Sequence, residues 1–222
     1  MILGIDTSLG TAVAVTDADG AVRSEAASTD PLGHAEIIGT LLQTALTDAA
    51  HGPLGGTGAS EPVVLTHVAA GMGPGPFTGL RVGIAAARAF ALGRGIPVVP
   101  VPSHDAAALA ILLADPFAEL PRFAVVTDAR RREFAYTVYD GLDDDGLPRR
   151  VAESALAKRD DIDAVLAQLG AERRDVTAVP GAMVALAAAR AVAADRVADL
   201  DEPLYLRAPD VTLSAGPKKV GT

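Results

Sequence analysis

Gly79, Gly83, Ala87 and Ala91 stand four residues apart, just after the run Gly73-Pro74-Gly75-Pro76 and the Val-rich segment Val63 to Ala70. A four-residue spacing keeps side chains in one line along an α-helix. The stretch therefore predicts a helix from Phe77 to about Arg94, stopped by Gly95 and Pro97, with a groove of small residues down one side. Leu80, Ile84 and Phe90 lie off that line and can anchor the helix in its own core. A groove without bulk lets another segment approach closely, as small-xxx-small lines do between membrane helices. It can seat the chain's own first helix or a partner, and the internal seat is the expected one.

The same glycines invite a phosphate-loop reading, which the spacing opposes. A Walker loop needs a lysine after its last glycine, and the dinucleotide pattern needs its third glycine one residue earlier than Gly79. Pro74 and Pro76 also lack the N–H groups an anion nest would use.

Around this motif the periodicities predict strands at Ile2 to Asp6, Thr11 to Thr16 and Ala21 to Ala27, the last two joined by a hairpin over Asp17 to Gly20. A helix over Ala35 to Ala50 follows, then a loop from Gly52 to Ser60, the strand Val63 to Ala70, the motif helix, a strand Ile96 to Val101, and a helix Asp105 to Ala114 capped by Ser103. This is the element order of a ribonuclease-H-like lobe. Beyond it, strands Phe123 to Thr127 and Glu133 to Tyr139, an acidic turn Gly141 to Gly146, a helix Asp160 to Leu169, a strand Val176 to Val179 and a helix Ala182 to Ala194 read as a reduced second copy. The expected division is 1–114, 115–208 and a flexible tail 209–222.

Composition narrows the functional classes. With no cysteine, disulfide scaffolds, thiolate metal sites and cysteine nucleophiles are excluded. No stretch stays apolar long enough to span a bilayer and the start has no basic leader region, so a soluble, cytoplasmic protein is expected. The net charge of −9 opposes a grip on RNA phosphates, which needs a basic stripe; Arg130, Arg131 and Arg132 form the one run, expected to be a solvated turn. Neither G-x-S-x-G nor H-E-x-x-H occurs, so no hydrolase nucleophile or zinc pair is visible. His51 and His67 have no evident partners.

The segments ILGIDTS, HAEII, GMGPGPFTGLRVGIAAARAFALGRGIPVV, DARRREF and PLYLR, in this order across almost the whole chain, resemble the TsaB (YeaZ) family. That resemblance implies an α/β, actin-like ATPase (ribonuclease-H-like) fold of two lobes, the second reduced. It implies a non-catalytic subunit that binds and organises TsaD, the transferase placing threonylcarbamoyl on the adenosine 3′ of the anticodon in tRNA. TsaD would be the direct partner in a heterodimer, TsaE would join through the complex, tRNA would be met indirectly, and the chain alone would form a homodimer. In this family the first two helices make the interface. Carried over, the partner-binding residues are His34, Ile38, Leu41, Leu42, Ala45, Thr78, Gly79, Arg81, Gly83 and Ala87. No cofactor is expected for the chain alone, with ATP or ADP entering only in the complex with TsaD and TsaE. The alternatives are an actin-like-fold enzyme, either a glycoprotease-type metallopeptidase or a weak ATPase or kinase, and a self-associating scaffold unrelated to tRNA.

The departures from paralogues bear on chemistry. Where TsaD-type proteins carry two metal-binding histidines, this chain has Ser103 and Ala107; His104 is one residue out of register and is expected to be a lone surface or capping histidine. Asp6-Thr7-Ser8 keeps the first phosphate-loop carboxylate, and Asp6 is expected to order a turn by accepting backbone N–H bonds. Asp128-Ala129-Arg130 puts arginine where a second phosphate loop needs glycine, and near Pro180 the glycine pair is reduced to Gly181. His34 and Glu36 fit the family's H-x-E, with Glu36 favoured by the helix dipole. Arg81, close to a helix N-terminus, calls for an anionic partner across the interface or within the loop, or else stands free in solvent.

Overall fold

A computed structural model describes residues 1–30, 33–51, 62–115 and 120–207. The expected loop Gly52 to Ser60 and the tail 209–222 lie outside the described residues.

The first three strands form an antiparallel meander, β1 (Ile2–Asp6), β2 (Thr11–Thr16) and β3 (Val22–Ser28). The turn between β2 and β3 is closed by Asp17 N–H donating to Ala21 O at 2.8 Å, with Gly20 at φ 93°. Next come α1 (His34–Ala49), β4 (His67–Gly71), α2 (Phe77–Arg94), β5 (Val98–Val101) and α3 (Ser103–Ala114), giving the sheet order β3-β2-β1-β4-β5. Gly95 ends α2 in the left-handed region at φ 66°, where Ile96 N–H can bond back to Ala91 O.

A strand shows alternate side chains to opposite faces. Leu3 and Ile5 of β1 accordingly join Val13, Val15, Val68, Leu80 and Ile84 in a core beneath α1 and α2. Ile2, Ala69, Val99 and Val101 point the other way, into a core shared with α3 and the last helix, α5 (Gly181–Ala193). With both faces covered, every residue of β1 and β2 is buried. A side chain on Gly4 would strike the Gly181 carbonyl, so glycine here lets α5 lie on the strand backbone. The helix that ends the second half of the sequence therefore packs on the first sheet.

The second sheet runs β8-β7-β6-β9 and comprises β6 (Phe123–Asp128), β7 (Glu133–Leu142), β8 (Pro148–Lys158) and β9 (Glu172–Asp175), with α4 (Ile162–Gln168) packed over it. Two expectations need correction. The eleven-residue β8 was not anticipated, and the short parallel strand is Glu172–Asp175 rather than Val176 to Val179. Both make the second half a closer copy of the first, with three antiparallel strands, a helix, a parallel strand and a helix.

Candidate functional site

The chain presents two candidate surfaces, the outer face of α1 with α2 and the cleft between the sheets. Of the ten residues expected to bind a partner, His34, Ile38, Ala45, Gly79, Gly83 and Ala87 are buried within the chain itself. Gly79 lies against the Thr7 carbonyl and the His34 ring, and a Cβ at Gly83 would collide with the Thr7 side chain. The line of small residues thus seats the loop after β1 and the start of α1, which is an internal seat. Leu41 and Leu42 are half-buried, while Thr78 and Arg81 are exposed. The outward face of α1 is built of Ala35, Glu36, Gly39, Thr40, Gln43 and Thr44. Nothing lies within 4 Å of a Cβ placed on Gly39.

Residues 200–207, which include the PLYLR segment, form a strap over α2. Leu204 N–H donates to Met72 O at 2.7 Å, pinning the strap to the end of β4. Tyr205 stacks on Phe77, the first residue of α2, with ring centroids 4.3 Å apart. Arg81 Nε donates to the Tyr205 hydroxyl at 3.0 Å, and its guanidinium lies 5.7 and 5.6 Å from the Phe77 and Tyr205 ring centres. Arg88 donates to the Asp201 carbonyl, and Arg207 forms an ion pair with Glu133 at the start of β7. Arg81 therefore has a phenol partner within the chain.

The loop after β1 is closed on itself. Asp6 Oδ1 accepts from Ser8 N–H at 2.7 Å and Ser8 Oγ at 2.6 Å, while Oδ2 accepts from Ser103 Oγ at 2.5 Å. Ser103 Oγ in turn accepts from Gly73 N–H at 2.9 Å. Ser103 is thus the first residue of α3 and a tie between three segments rather than a helix cap. Burial raises the Asp6 carboxyl pKa, opposed by the bonds from Ser103 and Ser8. This carboxylate is used up in joining the ends of β1, β4 and β5.

Between the sheets a cleft of 390 Å³ is lined by His34 and residues 74–79 on one side, residues 127–131 on the other, and residues 205–207 at its mouth. Asp6 is not part of the lining. Arg130, Arg131 and Arg132 all have positive φ, at 62°, 50° and 62°, a conformation that glycine adopts freely and arginine does not. Asp128 accepts from Arg130 N–H at 2.8 Å and pairs with Arg159 at 2.6 Å. Slight burial raises its pKa, but those two partners outweigh it and leave the carboxyl below its usual range. Both loop carboxylates are committed to the protein's own groups, so these residues do not fit a self-sufficient nucleotide site.

His104 corrects the sequence expectation most clearly. It is 1% exposed, with Nδ1 2.8 Å from Thr137 Oγ1 and Nε2 3.0 Å from Thr127 Oγ1. Burial, aided by the nearby Arg150 charge, depresses its pKa to about 3. The neutral ring bonds α3 to β6 and β7. Beside it Asp105 accepts from Arg150 Nε at 2.7 Å, Arg150 Nη2 at 2.5 Å and the Tyr139 hydroxyl at 2.7 Å. Adjacent residues of one helix thus clamp the second sheet to the first half of the chain. Among the described residues no three His, Asp or Glu side chains gather as a metal site, and no helix is long and apolar enough to cross a membrane.

Residues 25–146, more than half of the chain, match the model of the family TsaD, tRNA N6-adenosine threonylcarbamoyltransferase. The chain belongs to this family. Its fold is that of YeaZ. The structure of YeaZ from Pseudomonas aeruginosa is similar with a TM-score of 0.70 at 21% identity, over 92% of this chain and 99% of that one. The uncharacterized protein Rv3421c of Mycobacterium tuberculosis (strain H37Rv) is 38% identical over 218 residues, spanning 94% of this chain and 92% of that protein. A tRNA N6-adenosine threonylcarbamoyltransferase of Streptococcus pneumoniae is 34% identical over 103 residues, covering 46% of this chain but 28% of that protein. The actin-like, two-lobed α/β fold expected from the sequence is the one observed.

Proposed function

We propose that this chain is a non-catalytic subunit of the tRNA N6-threonylcarbamoyladenosine machinery, which binds TsaD through the outer face of α1 and α2 and organises it for transfer. One observation carries this reading. Positions at which paralogues do chemistry are spent on the fold: Asp6 and Ser103 bond each other, and the histidine next to them, His104, bridges two threonines. The outward face of α1, by contrast, is exposed and carries the small residues Ala35, Gly39, Thr40 and Thr44, with Thr78 and Arg81 exposed on the neighbouring α2. A helix face with so little bulk suits close packing by other helices. The buried members of the expected contact set then act indirectly, by fixing how α1 and α2 lie on the sheet. In this reading the chain works in the cytoplasm, pairs with itself when alone, reaches TsaE and tRNA through TsaD, and meets ATP or ADP only in the assembled complex.

The test is size-exclusion chromatography with light scattering of the protein alone and mixed with TsaD from the same cell. A new one-to-one species is expected. Unmixed peaks at micromolar concentrations, or metal-dependent turnover by the chain alone, would overturn the reading in favour of an actin-like-fold enzyme using the 390 Å³ cleft.

A further inference from the structure

The arginines of α2 differ from most others in the chain. Arg23, Arg122, Arg149, Arg150, Arg159, Arg173, Arg174, Arg196 and Arg207 each form an ion pair with Asp or Glu. Arg81 and Arg88 are exposed on α2 and are held instead by neutral groups of the strap, the Tyr205 hydroxyl and the Asp201 carbonyl. Seven residues apart, they share one face of the helix about 10 Å from each other. Tyr205 engages only Nε of Arg81, and the terminal nitrogens have no bonding partner among the described residues. Helix α2 carries no Asp or Glu, in a chain of net charge −9. Two oriented guanidinium groups on the face of an otherwise acidic protein are complementary to a pair of carboxylates.

We infer that the strap, through Tyr205 and Asp201, positions Arg81 and Arg88 as a two-point receptor for carboxylates on the α1–α2-binding surface of TsaD. The inference rests on the docking function proposed above and adds to it a third element and a chemistry. Tyr205 is a positioning residue: its ring fixes the aliphatic part of the geometry by stacking on Phe77, and its hydroxyl orients the guanidinium. Two acidic side chains about 10 Å apart, as at i and i+7 of a partner helix, match this spacing.

The experiment is calorimetric titration of TsaD with wild type, Arg81→Ala, Arg88→Ala, Tyr205→Phe and the pair Arg81→Ala with Tyr205→Phe, each at two salt concentrations. Each arginine variant is expected to weaken binding about tenfold and to reduce its salt dependence, with melting temperature unchanged. Tyr205→Phe keeps the ring stack and removes the acceptor, so it should weaken wild type about threefold yet add nothing in the Arg81→Ala background. A purely structural role for Tyr205 would shift the melting temperature and leave the salt dependence alone. If wild type binds TsaD and both arginine variants bind as tightly with the same salt dependence, this inference fails while docking stands. If wild type itself does not bind, docking fails and takes the inference with it.

Discussion

At the scale of single residues, the histidine at 104 shows how an environment decides a side chain's role. It is out of register with the paralogues' metal ligands and has Ala108 four residues on, so the sequence suggests a lone surface or capping histidine. What buries it is β7, thirty-three residues later, whose Thr137 supplies one of its two hydroxyl partners. No local pattern carries that information. The consequence is a pH dependence of stability with a definite sign. The unfolded imidazole takes a proton near pH 6.5, whereas the folded one resists until about 3. Between these values the unfolded state binds more protons, so this group makes stability rise with pH from about 3 to 6.5 and contributes no slope above. The slope approaches about 1.4 kcal/mol per pH unit within the window. Urea unfolding at pH 5, 6 and 7 should show wild type losing stability on acidification and His104→Gln losing less. At pH 7 the variant should be weaker by roughly 1–3 kcal/mol, because a threonine hydroxyl is left without its imidazole partner. Parallel pH profiles for the two proteins would show that the ring is not held neutral.

At the scale of elements, helix α2 was legible because both its period and its stop signal are local, whereas β8 was not. The β8 sequence, PRRVAESALAK, has three Ala and two Arg, no aromatic residue and Val151 as its one β-branched residue, so it lacks the composition that marks a strand. It becomes one by pairing with the long β7, as a half-exposed edge. The four charged residues of β9 are a strand for the same reason, here parallel to β6. The direction in which a helix turns its small residues is likewise set by what packs there. Two glycines separate the possibilities. Gly83→Ala meets Thr7, whose hydroxyl already donates to Gly79 O at 2.7 Å, so it should cost about 1–3 kcal/mol through overpacking. Gly39→Ala has open space and sits inside α1, so it should gain up to about 1 kcal/mol of helix propensity. Gly39→Leu should leave the monomer folded but weaken TsaD binding, if the outer face of α1 is the docking surface. Thermal melts and the TsaD titration read the two effects separately; a destabilised Gly39→Ala or an unaffected Gly83→Ala would reverse the assignment of the inner and outer faces.

At the scale of the whole molecule, packing joins the two halves of the sequence, since α5 shares a core with β1, β5 and α3. Two lobes could be read from the sequence because adjacent strands followed by a helix, a strand and a helix recur in the second half, even with β8 unread. Where α5 goes could not, since Ala182 to Ala189 is apolar on almost every side and names no partner. In the fold Val184, Ala185, Leu186, Ala187, Ala188 and Ala189 are all buried, within a core that also contains Ile2, Val99, Val101 and residues of α3. The strap then packs Leu200, Leu204 and Tyr205 against the core on the opposite face of the same sheet. One sheet is therefore held from both sides by the last part of the chain. Burial of a single Val or Leu side chain is worth about 1.5–3 kcal/mol. Removing α5 and the strap together should forfeit on the order of 10 kcal/mol, comparable to the whole stability of a domain. A chain ending at Pro180 should consequently lose its cooperative melt and bind a hydrophobic dye, even though it retains every strand of both sheets. The full chain should unfold in one transition, with near-ultraviolet dichroism from Tyr139 and Tyr205 melting together with the far-ultraviolet signal. If the shortened chain instead melts cooperatively near the wild-type temperature, residues 1–180 are self-sufficient, and the α1–α2 face does not depend on the C-terminal segments to hold its shape.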